Sequence, residues 1–118
     1  MSYSADNQKR EKYWYNRGLE LAKLEQYEEA IAAYDKALEI DPKFHCAWNR
    51  KGITLNYWGR YSEALAAFKN CLEIKPKFHW AWNGKGIALN YLERYSEALA
   101  AFKNCLEIKP KFHWAWNG

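Results

Sequence analysis

Proline occurs three times in this 118-residue chain, cysteine three times and methionine once. Three cysteines cannot pair off completely, and an odd number in a short chain fits reduced, packed thiols better than a disulfide framework. No stretch approaches the ~18 consecutive apolar residues that a membrane span needs. The opening M-S-Y-S-A-D-N-Q-K-R lacks the apolar core of a secretory signal, so a cytoplasmic protein is expected. A nucleophile beside a base, a carboxylate pair on one face and a phosphate-cradling glycine loop are all missing. No enzymatic activity and no cofactor are therefore expected.

Apolar residues are abundant. They make up 49% of the chain, and aromatics alone 18%, with seven Trp and nine Tyr. That content excludes a disordered or low-complexity chain. The net charge of +4 is unevenly spread. Residues 11–44 hold five Lys/Arg against eight Asp/Glu, residues 45–78 six against two, and residues 79–112 five against three. An acidic first third precedes a basic remainder.

Shifting the sequence by 34 residues reveals its organisation. Residues 60–84 and 94–118 are the same 25-residue string, and 45–78 differs from 79–112 only at positions 46, 50, 54, 58 and 59. Trp recurs at 14, 48, 82 and 116, Gly at 18, 52 and 86, and Pro at 42, 76 and 110. A strict period of this length means stacked repeats. The expected division is an N-terminal extension (1–10), repeats at 11–44, 45–78 and 79–112, and the first helix of a further repeat beginning at 113–118. Each unit reads as two helices. Trp82, Gly86 and Leu89 mark the buried stripe of the first. Ala98, Leu99, Phe102, Cys105 and Leu106 mark that of the second. Ser62 and Ser96 precede Glu and an apolar run, as helix N-caps do, and the closing Pro stops each unit. Glycine inside a helix costs ~1 kcal/mol relative to Ala; at 52 and 86, with Ala64 and Ala98, it would let paired helices approach closely.

Trp48, Gly52, Ala64, Phe68 and Pro76, with their equivalents one period away, resemble the tetratricopeptide repeat family over residues 11–118. The sequence departs from that pattern where Arg17, Lys51 and Lys85 replace the usual Leu before the glycine, and these side chains must snorkel. The resemblance implies an all-α, right-handed superhelical solenoid of antiparallel helix pairs, with ligand peptides held on an inner wall of first helices. It assigns to that wall Tyr15, Asn49, Ile53, Asn56, Tyr57, Trp80, Asn83, Ile87, Asn90 and Tyr91. The spacing of Trp80, Asn83, Ile87 and Asn90 independently puts them on one helical stripe. Asn carries donors and an acceptor for a peptide backbone, and Tyr and Trp supply rigid apolar area. Members of the family that grip a chaperone's C-terminal carboxylate use a Lys/Asn/Arg set. At the matching positions stand Tyr15, Leu19, Arg50, Trp80 and Gly84, of which only Arg50 is basic, so that role is not expected.

The expected function is thus a non-catalytic protein-interaction scaffold with a peptide or protein partner. Trp114 and Trp116 near the C-terminus suggest a sticky end, from a truncated array or one that self-associates, and near-identical hairpins permit exchange between chains. A designed or truncated array with no ligand of its own is a further reading. Single-stranded RNA binding is the alternative from another class. It is disfavoured by the acidic first repeat and by the position of Lys69, Lys75, Lys77, Lys103, Lys109 and Lys111 on second helices or loops. His45, His79 and His113 form a ladder whose rungs are ~8–10 Å apart. A shared zinc needs bonds of ~2.0–2.1 Å, so no metal site is expected within the chain. By the same geometry Cys71 and Cys105 cannot bridge.

Overall fold

A computed structural model of the protein describes residues 4–109. These form six helices: α1 (Ala5–Lys23), α2 (Tyr27–Ile40), α3 (His45–Tyr57), α4 (Tyr61–Ile74), α5 (His79–Tyr91) and α6 (Tyr95–Ile108). No strand occurs among the described residues. The helix α1 starts at Ala5, with Ser4 accepting from the Asn7 amide as its N-cap, so it runs back through most of the extension set apart on sequence.

Helices pair within each repeat (α1 with α2, α3 with α4, α5 with α6), and each pair packs on the next through α2–α3 and α4–α5. First helices also touch one another, α1 with α3 and α3 with α5. The second helices make far less contact with each other. Close approach on one side and splaying on the other curves the stack, and the first helices form its inner wall. This is the all-α solenoid that the periodicity and the resemblance imply.

The approach of helix to helix is set by glycine against an aromatic ring. A Cβ added to Gly18 would fall 2.5 Å from Tyr34, one on Gly52 2.7 Å from Phe68, and one on Gly86 2.6 Å from Phe102. Each ring belongs to the second helix of the same repeat. Phe68 is fully buried and meets a second glycine from the following repeat, since a Cβ on Gly84 would lie 2.2 Å from its Cζ. Position 50, one period earlier, carries Arg, so among the described residues the double contact belongs to the junction of α3, α4 and α5. Around it lie Leu55, Ala64, Leu65, Leu72, Ala81 and Leu89, all buried.

The repeat joins carry their own ties. Trp48 Nε1 donates to the Pro42 carbonyl at 2.8 Å, and Trp82 Nε1 to that of Pro76 at 2.8 Å. The lysines in place of Leu snorkel as expected. Lys51 reaches Asp35 at 2.7 Å, and Lys85 lies 5.0 Å from the Trp82 ring centre.

Two sequence expectations need correction. Ser62 and Ser96 are not N-caps: α4 and α6 begin one residue before them, behind Arg60 and Arg94, and those caps make no side-chain hydrogen bond. The reason lies in the preceding turn. Gly59 and Glu93 take positive φ (81° and 62°), which lets the Arg60 and Arg94 amides donate back to the Leu55 and Leu89 carbonyls and start the helix early. Glu63 and Glu97 in the first turn then face the positive end of the helix dipole. Leu99, expected in the core, is 50% exposed, whereas Leu65 one period earlier is 6% exposed beneath α5. What would cover Leu99 in the same way corresponds to residues outside those described.

Gly52→Ala should therefore destabilise the protein, although Ala favours helix by ~1 kcal/mol. The Phe68 ring cannot retreat because Gly84 backs it, and overpacking costs about 1–3 kcal/mol. Gly86→Ala should cost less, because Phe102 is only partly buried. Urea unfolding of the two variants beside the parent checks the order.

Candidate peptide groove

The inner wall is not flat. Three adjoining hollows run along it. The first, about 320 Å³, lies between α1 and α3 and is lined by Leu19, Ala22, Lys23, Arg50, Ile53 and Tyr57, among others. The second, about 440 Å³, is bounded by Tyr15, Cys46, Asn49, Arg50, Ile53, Tyr57, Phe78 and Trp80. The third, about 510 Å³, lies between α3 and α5 and is lined by Ile53, Asn56, Tyr57, Tyr61, Trp80, Asn83, Gly84, Ile87 and Tyr91. Ile53 and Tyr57 border all three, so they are parts of one groove.

Helical periodicity places these side chains. Asn49, Ile53, Asn56 and Tyr57 stand four, three and one residue apart on α3, and Trp80, Asn83, Ile87 and Tyr91 occupy the matching face of α5. Nine of the ten residues assigned to the wall therefore come together. The exception is Asn90, which is exposed and lines none of the three hollows.

Asn56 departs from its expected role. Its Nδ2 donates to the Gly84 carbonyl at 3.1 Å, tying α3 to α5, so this amide is a strut between repeats. Asn49 and Asn83 make no such bond. Their Oδ1 atoms are buried and unpaired, and Asn49 is only 6% exposed.

The aromatics divide by exposure. Tyr57 (76%) and Tyr91 (61%) stand out from the wall, and Trp80 (44%) leans over it. Tyr91 lies parallel to Tyr61, with ring centres 4.5 Å apart and planes 4° from parallel. Tyr61 opens α4 and was not foreseen, although Tyr recurs at that place in every repeat (27, 61 and 95). Arg50 was passed over as a binding residue, yet it borders two of the hollows. It opposes the effect of burial on the neighbouring Tyr15, which nevertheless keeps that phenol above its ordinary range.

The histidines sit at helix starts. His45 Nε2 is 3.5 Å from Cys46 Sγ, and burial followed by the Lys75 charge keeps its imidazole below the usual range. Burial and Lys109 do the same to His79. Among the described residues no group of three or more His, Cys, Asp or Glu is placed to hold a metal ion. Nor is any helix of the described residues long and apolar enough to cross a membrane. Trp114 and Trp116 lie outside the described residues.

The repeat model described as "Tetratricopeptide repeat" matches residues 11–44, 45–78 and 79–112 in succession. The chain belongs to the tetratricopeptide repeat family. Among solved structures, it is similar to the TPR domain of Arabidopsis OM64, with a TM-score of 0.90 at 21% identity over 94% of this chain and 92% of that one. It is also similar to the first TPR of Spaghetti (RPAP3) bound to the HSP90 peptide SRMEEVD, with a TM-score of 0.90 at 20% identity over 92% and 86% of the two chains. A third is YrrB, described as a TPR protein with an unusual peptide-binding site, with a TM-score of 0.85 at 27% identity over 92% of this chain and 56% of that one. No curated protein sequence shows significant similarity to the chain.

Burial separates the three thiols. It pushes Cys71 up to about 12 and Cys105 up to about 11, and it raises Cys46 as well, against the opposing charges of Arg50 and Lys75. Cys46 alone is part-exposed and borders the groove. A thiol reagent at pH 8 should label Cys46 first and slowly, and should reach Cys71 and Cys105 only as the protein unfolds. Mass mapping of the labelled sites in native and denaturing buffer checks this.

Proposed function

We propose that the protein is a non-catalytic interaction scaffold that holds a peptide or an extended segment of a partner protein along the inner wall of α1, α3 and α5. The observation that carries this reading is the convergence of Asn49, Asn83, Tyr57, Trp80 and Tyr91 on one groove. Amide edges can bind a peptide backbone whatever its side chains. Large aromatics supply contact area at little entropic cost. That the neighbouring RPAP3 domain was solved with a peptide supports a partner of this kind. RNA fits less well. Lys69, Lys75, Lys77, Lys103 and Lys109 all lie off the groove lining, and the third hollow is lined by no charged residue.

Peptides selected from a random library against the full chain should lose affinity by about tenfold or more in Trp80→Ala or Tyr91→Ala, as truncated hot-spot aromatics do. Asn90→Ala, off the groove, should leave them unaffected. Binding that ignores both aromatic substitutions, or that follows Asn90, would contradict a groove mechanism. An affinity for single-stranded RNA falling steeply between low and moderate salt would favour the nucleic-acid reading instead.

A further inference from the structure

We infer that the groove selects its partner segment by an acidic side chain, whose carboxylate pairs with Arg50 while a large apolar residue of the same segment rests in the uncharged hollow beside it. This rests on the concave face being a peptide groove and adds what the peptide must carry. The array contains its own comparison, because repeats two and three are nearly identical.

Those repeats differ at five positions, 46, 50, 54, 58 and 59. Three of the five, Cys46, Arg50 and Thr54, are spaced i, i+4, i+8 and so share one face of α3. Arg50 borders both the first and the second hollow, Thr54 the first and Cys46 the second. One repeat on, the same places hold Trp80, Gly84 and Ala88. Bare backbone and a methyl group have thus become a guanidinium and a hydroxyl. The first repeat changes in the same sense. Tyr34, which lines the first hollow, stands where the later repeats carry Phe68 and Phe102, and Tyr15, which borders the second, stands where they carry Asn49 and Asn83. Two phenols, a threonine and an arginine gather at the junction of α1, α2 and α3. The next junction has Asn, Phe, Ala and Gly in their places.

Arg50 is also a charge without a counterpart. Arg17, Arg60 and Arg94 each pair with a glutamate three residues on, and Lys51 pairs with Asp35. Among the described residues Arg50 makes no ion pair. It is the only charged side chain lining the second hollow, and in the first, Lys23 and Glu25 add one charge of each sign. Burial raises Tyr15, Tyr34 and Cys46, and the Arg50 charge opposes it at all three. Tyr34 is fully buried, and its hydroxyl has no hydrogen-bond partner.

What this set of groups lacks is an anion rich in acceptors. A guanidinium binds a carboxylate through two parallel hydrogen bonds, and phenol and threonine hydroxyls can donate to it. Leu19, Ile53, Phe78 and Trp80 line one or other of the two hollows, and apolar walls strengthen such a pair by lowering the local dielectric. A basic side chain would instead meet like charge. The third hollow, with Tyr57, Tyr61, Trp80 and Tyr91 and no charged residue, receives the apolar neighbour.

The test is a selection of random dodecapeptides, displayed with neither end free, against the full chain and against Arg50→Gln and Arg50→Glu in parallel. Peptides enriched by the parent should carry Asp or Glu at one fixed place beside a large apolar residue. Arg50→Gln should abolish the acidic preference, and Arg50→Glu should turn it toward Lys or Arg. In a synthetic peptide from the parent pool, blocked at both ends, changing the acid to its amide should weaken binding about tenfold or more, the scale of a charge-assisted pair. The same change should cost nothing further in Arg50→Gln. Arg50 is exposed, so helix content by circular dichroism should be unchanged in both variants. A parent pool with no acidic preference, a preference that survives Arg50→Gln, or recovery of affinity by the amide peptide once its C-terminal carboxylate is left free would overturn the inference. The peptide groove would still stand if enrichment were lost in Trp80→Ala or Tyr91→Ala. If no peptide is enriched, or those enriched ignore Arg50, Trp80 and Tyr91 alike, both readings fall.

Discussion

The stack depends on one contact, an aromatic ring against bare helix backbone. Phe68 lies fully buried between Gly52 of its own repeat and Gly84 of the next, each too close to the ring to admit a methyl group. Glycine inside a helix is unfavourable locally, but here it lets two first helices close on the same ring. The ring in turn fixes the distance between α3 and α5. Tyr34 against Gly18 and Phe102 against Gly86 make the same contact within the flanking repeats, and the local cost of each glycine is offset by close packing along the solenoid.

Curvature and groove follow from that contact. Because first helices can approach one another and second helices do not, the wall bends inward and the outward-turned faces of α1, α3 and α5 are gathered along one surface. The strut from Asn56 to the Gly84 carbonyl reinforces the spacing from the groove side. Recognition and architecture thus share parts. Gly84 packs on the core ring with its Cα, receives the strut with its carbonyl and borders the third hollow, and the absence of a side chain serves all three.

Much of this was legible in the sequence, and the reasons are physical. A 34-residue period over Trp, Gly, Ala, Phe and Pro fixes the helix pairs, because each landmark occupies a position that only a small, a planar or a helix-terminating residue fills well. Helical spacing along α5 likewise brought Trp80, Asn83 and Ile87 to one face. What escaped notice depends on partners distant in sequence. Asn56 looks the same as Asn49 in the string, yet it is spent on a carbonyl 28 residues away. Asn90 repeats Asn56 but borders no hollow. Ser62 has the residue type of an N-cap, yet the turn before it closes through a positive φ at Gly59 and leaves Arg60 in that place. Tyr61 became visible only once its ring lay on Tyr91. Periodicity tells which face a residue takes; it does not tell whether its polar atoms are already occupied.

The central claim is that a single ring from α4 spans glycines of two successive repeats and so sets the wall's geometry. Proton NMR on the native chain tests it most directly, through the α-protons of Gly52 and Gly84. Both should show cross-relaxation to the Phe68 ring protons and be displaced by its ring current from the shifts of ordinary helical glycines. Contacts from Phe68 to Gly52 with none to Gly84 would mean that α5 sits farther off, and that the groove between α3 and α5 is not the one described.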